Sequence, residues 1–384
     1  MRRITLLTLL STFVLFYCNP APEETPVSSP IDVAFIVTSD YTTGSYSTIE
    51  LSNLKTARDL GTGKIHSDAC ARYFNGYVYV INRQGRDNIQ VLDPGANFQT
   101  LREISVGTNS NPHDIIVVSK TKAYVTRWGA AALWIIDPST GTKTGEIDLS
   151  SYADADGLPE MDKMYYDAAN SRLFVTLQKL DSANWYAPTT RSSVVVISTA
   201  TDTVSTEIVL QAGGGYPVNP FSHLRFVSKS LWQPATADNH DHLFVACVND
   251  WGFQANTGIV AIDLTDLNCE SAFVIQNNDT SFGEINDFVI KTSTLGYAVT
   301  ADSSSRNKLI RFNPQTGAYL STLHTNASYS LTRLDLHASG KLFVCDSLTA
   351  EPGVRVYDTG DSDKLLEGKP LDVGLPPMDI TFVE

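Results

Sequence analysis

An all-β fold, a seven-bladed β-propeller, is what this chain of 384 residues predicts, and three observations carry it. First, seven short β-rich runs (AFIVTSD, YVYVINR, AYVTRW, LFVTLQK, LFVACVND, YAVTAD, LFVCDS) place an aromatic at one register: Phe35, Tyr79, Tyr124, Phe174, Phe244, Tyr297 and Phe343. Their spacing is near 45 residues, with one wide gap of 70 between Phe174 and Phe244. Second, each run is followed by another β-rich run and a turn signal, then usually by a third, and is preceded by a fourth. Four strands at such a period are the signature of a propeller blade. Third, no stretch of comparable length shows the 3.6-residue periodicity of a helix.

The elements follow in chain order within each unit. The innermost strands are SDACARYF, HDIIVV, MDKMYY, HLRFVS, NDFVIK, LDLHA and, at the end of the chain, MDITFVE. After the aromatic strand come STIELSNLK, NIQVLDPG, LWIIDPSTG, VVVISTATD, IVAIDLTD, LIRFNPQTG and VRVYDTGD. Asp-Pro and Asn-Pro followed by Thr-Gly make tight turns, because proline presets φ and glycine accepts a positive φ. Outer strands are REISVG, GEIDLS, TEIVLQ, AFVIQ and YLSTLH. The first aromatic strand has no partner before it and the last inner strand none after it. The C-terminal strand is therefore expected to complete the first blade, which closes the ring and removes a free sheet edge.

Residues 31–384 form the expected propeller domain, and what precedes them reads differently. Arg2 and Arg3 stand before an apolar run over 4–17, too short to span a bilayer and of the right length for a signal-peptide core. Residues 1–17 are thus expected to direct export. Leu15-Phe16-Tyr17-Cys18 resembles a bacterial lipobox, with Cys18 as the lipidated residue, although Phe16 and Tyr17 stand where small residues are usual. Residues 18–30 hold four prolines and no apolar periodicity, a solvated tether. Asn19, where aspartate would imply inner-membrane retention, points to an outer-membrane lipoprotein. The remaining cysteines, Cys70, Cys247, Cys269 and Cys345, form no CxxC pair and no zinc signature; buried free thiols are expected, although export permits a disulfide.

Charge narrows the partners. The chain has 28 Lys and Arg against 42 Asp and Glu, a net charge of −14, with no basic stripe. Phosphate backbones are repelled, so nucleic acid is not an expected partner. With 42% hydrophobic and 18% charged residues the composition suits a folded globular protein.

The repeat form, an aromatic-Val strand, an Asp-Pro-x-Thr-Gly turn and an Asn-Pro-x-Asp lead into the next unit, resembles YVTN-type propellers of bacterial and archaeal surface proteins. More distantly, the anchor, blade count and architecture resemble lipid-anchored seven-bladed propellers that capture vitamin B12 beside a TonB-dependent transporter. The resemblance implies an envelope-anchored, monomeric binding protein that captures either a small ligand, for instance a cofactor such as cobalamin, or an envelope protein such as that transporter.

Candidate site residues concentrate on one face, where the loops after the second and fourth strands of each blade emerge. The former carry Tyr41 and Tyr46; Arg83 and Arg86; Arg127 and Trp128; Trp185 and Tyr186; Trp251 and Phe253; and Arg306. Large rings in loops need a packing partner or a ligand, and aromatics with arginines are what recognition surfaces use. Trp128, Trp185 and Trp251 are expected to stack on a ligand, and Arg83 and Arg127 to meet its anionic groups. Aligning the inner strands puts Asp68, Asp114, Asp162, His223, Asp287, Asp335 and Asp379 at one register, a ring at the channel mouth. Such a ring could hold a hard cation, or each carboxylate could accept backbone N–H groups of a neighbouring blade. His66 and His113 precede two of the aspartates. The loop over 150–162, with Asp154, Asp156 and Glu160, offers part of a calcium-binding pattern and lacks the rest.

The chain has no GxSxG, no HExxH and no P-loop; Gly61-Thr62-Gly63-Lys64 lacks the earlier glycine of a phosphate cradle. A non-enzymatic binding protein is the leading expectation. A metal-dependent, lactonase-like hydrolase at the aspartate–histidine ring and an adhesive surface protein are the alternatives.

Overall fold

A computed structural model describes residues 31–188, 190–234, 239–249, 256–278 and 280–384. The expected signal peptide, tether and lipidated Cys18, and the candidates Trp251 and Phe253, lie outside the described residues.

Seven four-stranded antiparallel sheets form the blades of a propeller. In each the strands are named a to d from the channel outward. Blade one is built from both ends of the domain: Pro377–Val383 is its a strand, followed by Val33–Ser39, Gly44–Glu50 and the short Thr56–Ala57. Pairing of Phe35 with Thr381 and of Val37 with Asp379 fastens that closure. The blades then follow in chain order, the a strands being Ala69–Phe74, Pro112–Ser119, Met161–Asp167, Arg225–Val227, Glu284–Thr292 and Leu331–Leu336.

The seven register aromatics are all buried, none more than 4% exposed. They serve junctions rather than single sheets. The core divides into seven hydrophobic clusters, each shared by two adjacent blades: Phe35 and Tyr46 meet Ala69 and Val78, for example, and Phe343 meets Ile36 and Ile380. The Tyr124 hydroxyl of blade three bonds to Asp202 in the next blade's c–d turn, and that of Tyr297 in blade six does the same to Asp363 in blade seven. The turn chemistry is local. Asp137 Oδ1 accepts from Ser139 N at 2.8 Å, and Gly141 closes the turn at φ 79°, a left-handed conformation that glycine takes without Cβ strain.

The wide gap between Phe174 and Phe244 holds two insertions. One is a hairpin of Leu180–Asp181 with Ala187–Pro188 in the b–c loop of blade four. The other leads into the b strand of blade five and buries Trp232, whose Nε1 donates to Pro314 O at 2.8 Å. The four cysteines of the domain are free thiols, Cys247 and Cys345 buried, Cys70 and Cys269 partly so.

Candidate binding site at the channel mouth

Register decides what faces the channel. The position paired two residues beyond each aromatic is Asp379, Asp114 and Asp287 in blades one, three and six, and by continuation of the ladder His223 in blade five. In blades two and seven it is Cys70 and Arg333, opposite Ile81 and Cys345. In blade four Lys163 takes it, bonded through its backbone N–H to Thr176 Oγ1 at 2.9 Å. The expected seven-membered ring is therefore not formed: Asp68, Asp162 and Asp335 stand one or two residues off register. In blades two and seven the ladder is regular from the aromatic, and Asp68 and Asp335 simply stand two residues from the channel-facing position; in blade four a bulge between Met161 and Met164 falls at that position.

The aspartates on the register clasp neighbouring blades. Asp379 accepts from Ala71 N at 2.9 Å, Asp114 from Met164 N at 2.9 Å and Asp287 from Leu334 N at 3.4 Å, each the next blade's a strand. Arg72 forks onto both oxygens of Asp114 at 2.7 Å, and Arg225 reaches Asp335 at 2.9 Å and Asp287 at 3.8 Å. With most of its carboxylate oxygens engaged by N–H groups and guanidinium ions, the channel wall is an interlocked salt network rather than a cation cage. His223 lies among these cations; burial, then Arg72, Arg333, Arg225 and Lys163, hold its imidazole well below the usual range, so it is neutral.

Above this network a cavity of about 320 Å³ opens on the face of the b–c and d–a loops. Its aromatic wall is Trp128, Tyr186 and Phe221; its polar wall is Arg83, Asp162, Lys163, Gln178 and Arg333, with His113 between. Trp128 is fixed twice: its ring stacks on His113 at 5.6 Å, and Nε1 donates to Gln178 Oε1 at 2.7 Å. His113 is fully engaged. Its Nδ1 meets Asp162 Oδ1 at 2.8 Å and its Nε2 faces Arg83 Nη2 at 2.6 Å, so the neutral ring donates to the carboxylate and accepts from the guanidinium. Burial, with Arg83 beside it, pushes its pKa down to about 3. Burial alone would raise the Asp162 carboxyl, but Lys163 Nζ at 2.8 Å and His113 outweigh it and hold it below the usual range.

The expected site residues separate on this geometry. Arg83, His113, Trp128 and Tyr186 line the cavity, and Asp162 joins them from the expected ring. Arg127 does not: its Nε donates to Val106 O at 2.8 Å and its guanidinium lies 4.3 Å over Trp134, inside the structure of blade three. Arg86 turns outward to Glu103 at 3.4 Å, and His66 accepts from Asp68 N at 3.2 Å. Trp185 is 95% exposed at the tip of the blade-four hairpin, and Tyr41 is 76% exposed; neither lines the cavity. Arg306 pairs with Asp302, and Tyr46 is buried in a junction.

Lys163, Gln178, Phe221 and Arg333 were missed. Arg333 occupies in blade seven the register that Asp114 holds in blade three, so reading each inner strand from its aromatic, rather than from its aspartate, would have found it. The loop over 150–162 forms no cation cage. Asp156 Oδ1 accepts from Leu158 N at 2.9 Å and its Oδ2 from Ser182 Oγ at 2.8 Å. Glu160 is buried and accepts from Leu180 N at 2.9 Å. Among the described residues, these carboxylates are not in the groups whose donor atoms converge.

No protein-family model matches this chain, and no curated protein does. Solved structures do. A protein described as a putative 6-phosphogluconolactonase from Bacteroides fragilis is similar at TM-score 0.59 and 10% identity, over 94% of this chain and all of that one. The dihydro-heme d1 dehydrogenase NirN is similar at 0.57 and 14% identity, over 92% and 76%. Apo AztD from Citrobacter koseri is similar at 0.53 and 14% identity, over 92% and 98%. At these identities the likeness is one of fold, and propellers of one architecture host unrelated activities.

Proposed function

We propose that this chain is an exported binding protein, tethered through Cys18, that takes a small anionic ligand with a flat apolar part into the channel mouth. One observation carries the reading: the cavity presents Arg83, Lys163 and Arg333 against a single carboxylate, Asp162, in a protein that is otherwise strongly acidic. Lys163 and Asp162 neutralise each other at 2.8 Å. The carboxylate pairings of the two guanidinium groups are long, Arg83 at 3.4 Å from Asp68 and Arg333 at 3.7 Å from Asp379, while Arg83 also donates to His113 Nε2. Each also keeps one buried nitrogen without an acceptor. A carboxylate or phosphate entering between them would complete both, and Trp128, Tyr186 and Phe221 supply the stacking surface.

Binding rather than catalysis is favoured because both nitrogens of His113 are engaged and Asp162 stays ionised. Neither is a proton carrier near neutral pH. The volume is at the lower end of the roughly 300–1,000 Å³ of small-molecule sites. It suits a metabolite-sized anion; a corrinoid would rest across the mouth. Delivery to an envelope transporter belongs to the same proposal.

The test is thermal unfolding of the protein against carboxylates, sugar phosphates, nucleotides and cobalamins. A ligand at a thousandfold excess over Kd stabilises by about 4 kcal/mol. Arg333→Met and Trp128→Ala should each weaken a hit at least tenfold. A panel in which only neutral or cationic compounds shift the midpoint would sink the proposal.

A further inference from the structure

On the opposite face, at the edge of blade five, two histidines and three carboxylates converge. His240 and His242 flank Asp241 at the start of the b strand His242–Cys247. Asp263 ends the c strand Gly258–Asp263, directly opposite His242, and Asp266 and Glu270 follow in the c–d connection. His240 Nδ1 lies 2.7 Å from Asp263 Oδ2 and 4.0 Å from Asp266. His242 Nε2 lies 2.9 Å from Glu270 Oε1 and 3.9 Å from the same Asp263 Oδ2. There are thus two sets of three donor atoms that share Asp263, one with His240 and Asp266 and one with His242 and Glu270, and within each set the atoms lie within 4.8 Å of one another.

We propose that His240, His242, Asp263 and Glu270, with Asp266 at the rim, bind a zinc-class divalent ion. Charge is the first reason. Among the described residues, the ion pairs of these three carboxylates run only to the two histidines, and no Lys or Arg is paired with any of them. A divalent ion supplies the missing charge.

Preorganisation is the second. Asp263 Oδ1 is committed to the N–H groups of Thr265 at 2.6 Å and Asp266 at 2.9 Å, which aims Oδ2 at both rings. The buried His242 ring is set edge-on against Trp232 at 4.8 Å. Such support of the ligands from behind is what metal sites require. Access is the third: His240 lines a cavity of about 460 Å³ between blades four and five, a path for the ion.

Mixed imidazole and carboxylate donors in a four- to five-ligand set suit zinc and its first-row neighbours. Calcium and magnesium demand more oxygen ligands. On binding, the two imidazole–carboxylate hydrogen bonds give way to metal bonds of about 2.0–2.2 Å, a small expansion of atoms already in place.

The experiment is titration of the chelator-stripped full chain with Zn2+ by calorimetry and with Co2+ by visible absorption. One equivalent should bind with nitrogen-ligand cobalt bands. His240→Gln, on a partly exposed ring, and Glu270→Gln should each weaken it at least tenfold while the thermal midpoint of the metal-free protein stays in place. His337→Gln, in the separate cluster of Asp32, His337 and Glu384, should leave binding unchanged. No stoichiometric binding, binding indifferent to His240→Gln and Glu270→Gln, or binding lost in His337→Gln would overturn the proposal.

Discussion

Glu160 sits in a left-handed backbone position at φ 43°, wholly buried, with one carboxyl oxygen taking the Leu180 N–H and the other without a partner. Burial, reinforced by Asp156, Asp154 and Asp181 and opposed by the Leu180 bond, raises its pKa from 4.5 to about 9. The folded protein therefore carries a proton there that the unfolded chain releases above pH 4.5. Its contribution is full below that value and is lost as pH rises toward 9. Glu160→Gln keeps the Leu180 bond and removes the titration. Its stability relative to the parent should rise steadily between pH 5 and 9, as denaturant midpoints at several pH values would show. His113 has the opposite sign: its depressed pKa contributes stability above pH 6.5 that declines as pH falls toward 3. His113→Gln should flatten that acid limb in the same assay, and should also loosen Trp128, which a red shift in its fluorescence would report.

The elements owe their positions to what crosses from blade to blade. Tyr297 is buried by its ring and tied by its hydroxyl to Asp363 in the next blade's turn, where Arg311 also approaches at 3.2 Å. Tyr297→Phe keeps the ring and should cost about 1–2 kcal/mol in urea unfolding, the worth of a hydrogen bond to a charged acceptor partly replaced by Arg311. Phe174→Ala, by contrast, empties a junction and should cost about 3–5 kcal/mol. A cost under about 1 kcal/mol would mean that the junction re-closes around the void. The strand aromatics were legible because burial at a fixed register repeats in every blade. The bulge between Met161 and Met164 was not, since an extra residue in a strand leaves no mark in composition, and Lys163 was hidden for that reason; Arg333, on an unbroken ladder from Phe343, was hidden by aligning the inner strands on their aspartates.

Closure is a property of the whole molecule. The strand Pro377–Val383 pairs with Val33–Ser39, more than three hundred residues away in the chain, and Ile380 fills the junction between blades seven and one. A chain ending at Pro376 should lose the cooperative unfolding transition and aggregate through the freed edge of blade one; the same cooperative melt as the full chain would show that closure is dispensable. Adding 377–384 in trans as a peptide should restore the melt if pairing alone is what is missing.

By itself the sequence determined the blade count, the strand order, the turns and the closing strand, because each rests on local chemistry repeated seven times: an aromatic that must be buried, a proline or glycine that must turn. It also marked the loop face, from which Arg83, His113, Trp128 and Tyr186 do meet at the cavity. Only the tertiary structure decided which other candidates join them. Arg127 and Trp134 satisfy each other, Trp185 is carried away on a hairpin, and the aspartates are taken by neighbouring backbones and arginines. The reason is physical. A periodic pattern states which face a side chain occupies, whereas its partner in a ring comes from another blade, and which blade's residue arrives is set by bulges and charge pairing in three dimensions.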